Sequence, residues 1–273
     1  MKLINLIENK PVEGGLRYEH GLSFYVETQK HRLLIDTGAS DAFLYNADML
    51  GVDLSRVDTV ILSHGHYDHT GGVLAFAQRN PQANIYLQKT AGAEYYHKDT
   101  LSERYIGLDK RILALPQVHL MDGNYVIDDG ISVFTHVTGK KLWPVGNHAL
   151  KQKTGEQFIN DSFCHEQYVV LSEAGKKILI SGCAHNGIVN ILDTYRSLYG
   201  GAPDVVFSGF HMKKSSDYTE TEKQNIRATG AELAKLPTIF YTGHCTSEAG
   251  YQLLHEIMGE QLRESHTGDQ FQF

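Results

Sequence analysis

Apolar positions along the first third of the chain fall into short runs broken by polar turns. Residues 3–7 form one run, and residues 22–27 and 32–35 flank the polar pair Gln29-Lys30, which predicts a hairpin. Residues 57–62, rich in valine and isoleucine, read as a buried strand. Gly71-Gly72 then opens a helical pattern over 73–77 that stops before Pro81, and residues 85–87 give the next strand. Residues 90–115 predict a short helix and a tyrosine-rich connection. Residues 125–134 predict two strands around Asp128-Asp129-Gly130. Residues 138–163 are polar and glycine-rich and read as a long loop or lid.

Order returns with strands over 167–171 and 177–181 joined at Ala174-Gly175, a turn over 182–187, and a helix over 188–198. A strand over 204–207, a helix over 219–236, a strand over 238–242 and a helix over 247–258 complete the pattern. Strands alternate with helices in both halves, with hairpins added. This predicts a mixed α+β and α/β layered fold in one domain.

One arrangement recurs. A strand ends in His64-Gly65-His66 before a helix, another in Gly182-Cys183-Ala184-His185 before a helix, and a third in Gly243-His244-Cys245 before a helix. Strand-end loops of α/β sheets converge on one rim, where ligand sites form.

Composition adds little until histidine is counted. The chain has 273 residues, 41% of them hydrophobic, which suffices for a sizeable core without cross-links. A net charge of −7 argues against wrapping nucleic acid, which needs a concentrated basic surface. It is compatible with a small anionic substrate held at a metal. Three scattered cysteines, Cys164, Cys183 and Cys245, form no disulfide framework and fit a reducing cytoplasm. The first residues have no signal-peptide core, and no stretch is long and apolar enough for a bilayer. A cytoplasmic protein without membrane partners is expected, and the sequence does not set its oligomeric state. The unusual number is 15 histidines.

The densest cluster is Ser63-His64-Gly65-His66-Tyr67-Asp68-His69. His64 and His66 are two residues apart, so on extended backbone they point the same way and can serve one metal. Asp68 and His69 follow on the turn into the helix and can serve a second. Imidazole with carboxylate favours zinc, with iron or manganese as alternatives. Such a two-metal site lowers the pKa of a bridging water, and Asp68 can hold or accept its proton. His185 and His244 are the best remaining ligands. Cys183 is either a thiolate ligand or a small buried residue. His211 and His136 sit at similar strand ends, as substrate contacts or supports. Asp36, in Asp36-Thr37-Gly38, can orient a ligand histidine. A lone Asp-Thr-Gly does not make an aspartic protease, which needs paired carboxylates. Lys140, Lys141 and Trp143 in the expected lid can meet an anionic or aromatic substrate.

His64-x-His66-x-Asp68-His69, with Asp36-Thr37-Gly38 before it, resembles the signature of the metallo-β-lactamase superfamily. That resemblance implies an αββα sandwich with metals at the edge between two sheets. Glu19-His20-Gly21-Leu22-Ser23, residues 181–190, Gly209-Phe210-His211-Met212 and Gly243-His244-Cys245-Thr246 narrow it. They resemble a branch described as similar to archaeal 7,8-dihydropterin-6-methyl-4-(β-D-ribofuranosyl)aminobenzene-5′-phosphate synthase. By resemblance, His64, His66 and His185 hold one metal, and Asp68, His69 and His244 the other, with His136 a rival third ligand of the first. The chain departs from the pattern where many superfamily hydrolases carry a bridging aspartate, since Cys183 stands there. The expected function is a two-metal hydrolase of a small, phosphorylated or ester substrate. The alternatives are a dihydropterin-related synthase activating a pyrophosphate leaving group, and a metal-binding signalling protein with little turnover.

Overall fold

In strand Arg32–Ile35, Leu33 and Ile35 face one way and Leu34 the other, yet all three are buried. The same holds for Leu179 against Ile178 and Ile180 in strand Lys176–Ile180. Side chains alternate across a strand, so a strand apolar on both faces must be covered on both. This dictates a layered molecule, seen here in a computed structural model that describes residues 1–10, 14–100 and 102–273.

Among the described residues, two seven-stranded sheets stack face to face. Across the first the order is Gln270–Gln272, Lys2–Ile7, Ser23–Glu27, Arg32–Ile35, Thr59–Ile61, Asn84–Gln88 and Val118–Met121. Across the second it is Leu262–Glu264, Ile239–Thr242, Val205–Phe207, Lys176–Ile180, Tyr168–Glu173, Ile131–Phe134 and Tyr125–Asp128. Each sheet is antiparallel on one side and parallel on the other. Phe24, Leu33, Ile35 and Ile61 of the first sheet pack on Val133, Val169, Ile178 and Phe207 of the second. Helices Ala42–Met49 and Val73–Arg79 cover the outer face of the first sheet through Phe43 and Phe76. Helices Ile188–Tyr199, Glu220–Leu233 and Glu248–Met258 cover the second through Ile191, Ile226 and Leu254. The layers are αββα, as the sequence pattern and the resemblance imply.

Two stretches differ from the sequence reading. The described residues of 90–115 form strands Glu94–Lys98 and Glu103–Tyr105 with 3₁₀ turns, not a short helix. Residues 138–163, read as a loop or lid, contain the hairpin Leu150–Thr154 and Gln157–Asn160, turned at Gly155-Glu156. Together these four strands make a small third sheet. Its strands are polar and mostly solvent-facing, so no apolar alternation announces them. No helix among the described residues is long and apolar enough to cross a membrane.

His31 ties the two large sheets together at one end. Its Nδ1 lies 2.9 Å from Asp58 Oδ1 and its Nε2 3.1 Å from Asp128 Oδ2. Burial disfavours the imidazolium, but hydrogen bonds and charge from Asp58 and Asp128 outweigh it and raise the pKa above 6.5. A raised pKa contributes stability that is full below the unfolded value and is lost as pH rises through the folded one. His31→Ala is therefore expected to lower the melting temperature more at about pH 5.5 than at about pH 9. Thermal melts at the two pH values check this, and an equal loss at both would contradict it.

Candidate metal centre

The parallel strands of both sheets deliver their C-terminal ends to one rim. Asp36 follows Arg32–Ile35 and His64 follows Thr59–Ile61 in the first sheet. In the second sheet, Cys183 and His185 follow Lys176–Ile180, His211 follows Val205–Phe207, and His244 follows Ile239–Thr242. Turning the side chains inward strains the backbone. Asp36, Ala184, His211 and His244 adopt φ of 60°, 54°, 45° and 50°, a region L-residues seldom occupy, at roughly 1–3 kcal/mol each. At Gly65 the backbone runs so close to Ala91 that any Cβ would overlap its carbonyl oxygen.

The result is a buried set of donor atoms. His64 Nε2 lies 3.3 Å from His185 Nε2, and His69 Nε2 lies 3.2 Å from His244 Nε2. Cys183 Sγ stands between the pairs, 3.2 Å from His69 Nε2, and groups within 4.8 Å with the donors of either. Asp68 Oδ2 is 3.3 Å from His244 Nε2 and 3.8 Å from His69 Nε2. The His66 ring packs 4.6 Å from that of His64 and 4.9 Å from that of His185, while its Nε2, buried and unpartnered, faces Asp161 Oδ2 at 4.0 Å. A proton on Nε2 would point at that carboxylate and leave Nδ1 as the donor atom of His66.

Hydrogen bonds behind the rings fix where the protons lie. His69 Nδ1–H donates to Asp36 Oδ2 at 2.7 Å. Ser63 Oγ spends its proton on Asp36 Oδ2, so at 2.8 Å it accepts from His64 Nδ1–H. Asn147 Nδ2 donates to the His185 carbonyl, which turns Asn147 Oδ1 to accept from His185 Nδ1–H. Asn9 does the same at His244, donating to its carbonyl and accepting from Nδ1–H at 2.8 Å. In the neutral rings Nε2 therefore carries the lone pair, and the lone pairs of His64 and His185, and of His69 and His244, face each other. Nitrogen ligands at about 2.0–2.1 Å from a tetrahedral ion stand about 3.3–3.4 Å apart, so the observed spacings suit cation ligands.

The electrostatics agree. Burial and neighbouring histidines push His64 and His185 well below the usual imidazole pKa, and burial holds His66 at about 3. Burial opposes charge on Asp68 too, but His69, His244 and His20 keep its carboxyl well below the ordinary range. At His69 burial is outweighed by Asp36 and Asp68, which raise the pKa to about 9. Without a metal this end of the cluster attracts a proton; a bound cation would take that place. Burial raises the Cys183 thiol well above its usual value, a preference that a coordinated cation reverses.

The donors form the floor of a cleft of about 700 Å³, into which His66, Asp68, Cys183, His185 and His211 face. Apolar Ile106, Val145 and Leu150 line it beside Tyr67, and Arg104, Lys213 and Lys214 are its cations.

Comparison with known proteins decides the family. The family model described as the metallo-beta-lactamase superfamily matches residues 17–236. The chain belongs to the metallo-β-lactamase superfamily. It is similar to the 7,8-dihydropterin-6-methyl-4-(beta-D-ribofuranosyl)-aminobenzene-5′-phosphate synthase of Methanocaldococcus jannaschii, with 26% identity over 93% of this chain and 90% of that one. Another protein of that organism, MJ0448, is 29% identical over 73% of this chain and 75% of its own. The crystal structure of Tm1679, named a metal-dependent hydrolase of the beta-lactamase superfamily, superposes with a TM-score of 0.84 at 27% identity, covering 100% of this chain and 99% of that one.

Within this metallo-β-lactamase centre most residues singled out from sequence come together, and Asp36 sits where it orients His69. His136 does not join them. It is exposed at φ 59°, while Thr135 and Val137 on either side are buried, so the turn directs it away from the site. It is no rival to His185. Lys140 lies over the Trp143 ring at 3.5 Å and Lys141 pairs with Glu232 at 3.0 Å, so neither lines the cleft. Several contributors were missed. His20 takes a hydrogen bond from Asn9 Nδ2 on Nδ1 and presents Nε2–H to Asp68 Oδ2 at 3.3 Å. His165 accepts from Gly65 N–H and donates to Asp161, so it backs His66 rather than offering a donor of its own. Glu166 accepts from the backbone N–H of His185 and Asn186, and Glu8 from that of His244. The Glu19-His20-Gly21 motif could have pointed to His20; Asn9 and Asn147 carry no local signal.

Asp36 accepts three hydrogen bonds within one buried knot. Asp36→Ala is expected to weaken metal binding about 10- to 100-fold and to destabilise the fold by about 3 kcal/mol or more. Chelator competition and denaturant unfolding measure the two effects. Unchanged affinity would contradict the role given to Asp36.

Proposed function

We propose that this protein is a hydrolase of a small anionic substrate, a phosphoester first and a carboxylic ester second, working with two divalent ions, zinc foremost. The observation that carries the reading is the convergence of four Nε2 lone pairs, Asp68 and Cys183 at the floor of a cleft whose free charges are cationic. His64, His66 and His185 would hold one ion and Asp68, His69 and His244 the other, with Cys183 available to both. The grouping of Cys183 with His64 and His185 and with His69 and His244 supports this, as does the packing of the His66 ring on those of His64 and His185, although the His66 donor itself groups with Asp161 and His165. Bound there, the ions supply Lewis acidity and a nucleophilic water at neutral pH.

The chain's own residues do the rest. Asp36, Ser63, Asn9 and Asn147 hold the imidazoles in one tautomer, so the donors need no rearrangement. Asp68, steadied by His20, is placed to take the proton of an attacking water at the cleft floor. His211, its ring 4.1 Å from that of His185, faces the substrate side. A second reading draws on the relative from M. jannaschii. The same cleft could activate a pyrophosphate leaving group in a dihydropterin-related synthase, since displacement at phosphorus and displacement of pyrophosphate make the same demand for charge neutralisation.

Zinc-reconstituted protein is expected to hydrolyse bis-p-nitrophenyl phosphate, and Asp68→Ala to lower kcat by about 100-fold or more. No turnover on a panel of phosphodiesters, phosphonates, lactones and β-lactams would sink the hydrolase reading. Product formed from a dihydropterin pyrophosphate and an aminobenzene ribose phosphate would favour the synthase instead.

A further inference from the structure

Two of the three cysteines meet at the cleft, although 62 residues separate them in the chain. Cys183 follows strand Lys176–Ile180 and Cys245 follows strand Ile239–Thr242, and strand Val205–Phe207 runs between those two in the sheet. The loop after the middle strand is tied to both neighbours. Gly209 N–H donates to the Gly182 carbonyl at 2.7 Å, and Met212 N–H donates to the Cys245 carbonyl at 2.9 Å. At Gly209 this loop carries no side chain. A Cβ there would overlap Cys245 Sγ and stand 3.6 Å from Cys183 Cα, so the sulfur of Cys245 fills that space beside Cys183. Cys245 Sγ lies 3.6 Å from the Cys183 carbonyl oxygen, and the two thiols are in hydrogen-bonding contact.

The two sulfurs have different neighbours. Cys183 groups with the donor atoms of both histidine pairs. Cys245 joins no such group among the described residues, and its sulfur takes the N–H of His211 at 3.2 Å. Both thiols are free and only 3% exposed, yet both line the cleft, so a small oxidant that enters it meets the two together. Cys164 is exposed and lies outside that lining.

We infer that Cys183 and Cys245 are a redox pair, which hydrogen peroxide closes to a disulfide when no ion occupies the cleft floor, withdrawing Cys183 from the metal donors. The sulfur of one cysteine attacks a peroxide oxygen. An S–O bond forms, the O–O bond breaks, and the thiol proton leaves with the other oxygen as water. The second sulfur then attacks the first. An S–S bond forms, and the hydroxyl leaves with the second thiol proton as another water. The two sulfurs together lose two electrons, and the peroxide gains them. The thiolate is the form of cysteine that binds metal, and a disulfide has none to offer, so the cross-link and a Cys183-bridged pair of ions exclude each other. The cross-link goes beyond the proposed hydrolysis and needs no metal. Only its effect on the ions rests on the two-ion reading.

The test uses full-length Cys164→Ser protein, in which only the pair can react, stripped of metal and treated with hydrogen peroxide. Its intact mass is expected to fall by two hydrogens per chain, with a tryptic species that joins the peptides carrying Cys183 and Cys245. Dithiothreitol should restore both free thiols. Zinc bound beforehand should slow the cross-link about tenfold or more, and the cross-linked protein should bind zinc about tenfold or more weakly until it is reduced. With Cys245→Ser added, no cross-link can form, and Cys183 should gain oxygen up to a sulfinic acid that dithiothreitol does not reverse. Added oxygen without a cross-link in the Cys164→Ser protein, or disulfides only between chains, would overturn the pair. A cross-link that forms as fast with zinc bound, and leaves zinc affinity unchanged, would overturn the withdrawal of Cys183 and remove that residue from the two-ion reading, while the pair itself stood.

Discussion

Two pairs of buried imidazole nitrogens, His64 with His185 and His69 with His244, stand within hydrogen-bonding distance, and with lone pairs facing they repel unless a proton or a cation stands between them. That repulsion is built in, because Asp36, Ser63, Asn9 and Asn147 claim every proton at the opposite ring edge. Buried polar atoms left unpaired cost about 1–3 kcal/mol each, so a protein that fixes its tautomers this way spends stability on readiness for metal. The proton drawn to His69 by Asp36 and Asp68 expresses the same demand for positive charge.

The rest of the molecule serves that constraint. Two sheets, each with its parallel half ending at the same rim, are needed because no single strand carries enough donors. The first sheet supplies Asp36 and the His64–His69 segment, and the second supplies Cys183, His185, His211 and His244. The left-handed residues lie where those strands turn into their loops, and the core between the sheets holds the strained turns in place. The small polar sheet adds no donor; it raises one wall of the cleft and carries Arg104 to its mouth.

Much of this was legible in the chain. His64, His66, Asp68 and His69 crowd into one strand end, and the glycine-flanked His185 and His244 repeat the pattern, so sequence alone suggested a shared rim. The alternation of strands and helices gave the layers. What escaped has a physical reason. Asn9 and Asn147 act across 235 and 38 residues of chain, and asparagine in a turn has many commoner uses. His136 looked like a ligand because it ends a strand, but orientation depends on φ, which sequence does not state. The small sheet escaped because its strands bury only single side chains, Tyr95 and Leu150, too few to set a period of two.

Cys183 sharpens the proposal, since a sulfur within reach of both histidine pairs would join two half-sites into one binuclear unit. The most direct test is elemental analysis of the intact protein after reconstitution with zinc and removal of excess metal. The account expects about two ions per chain, falling to about one in Asp68→Ala and His244→Ala, where one half-site loses a ligand and the other keeps its own. Fewer than one ion per wild-type chain, or a count that neither substitution alters, would contradict it.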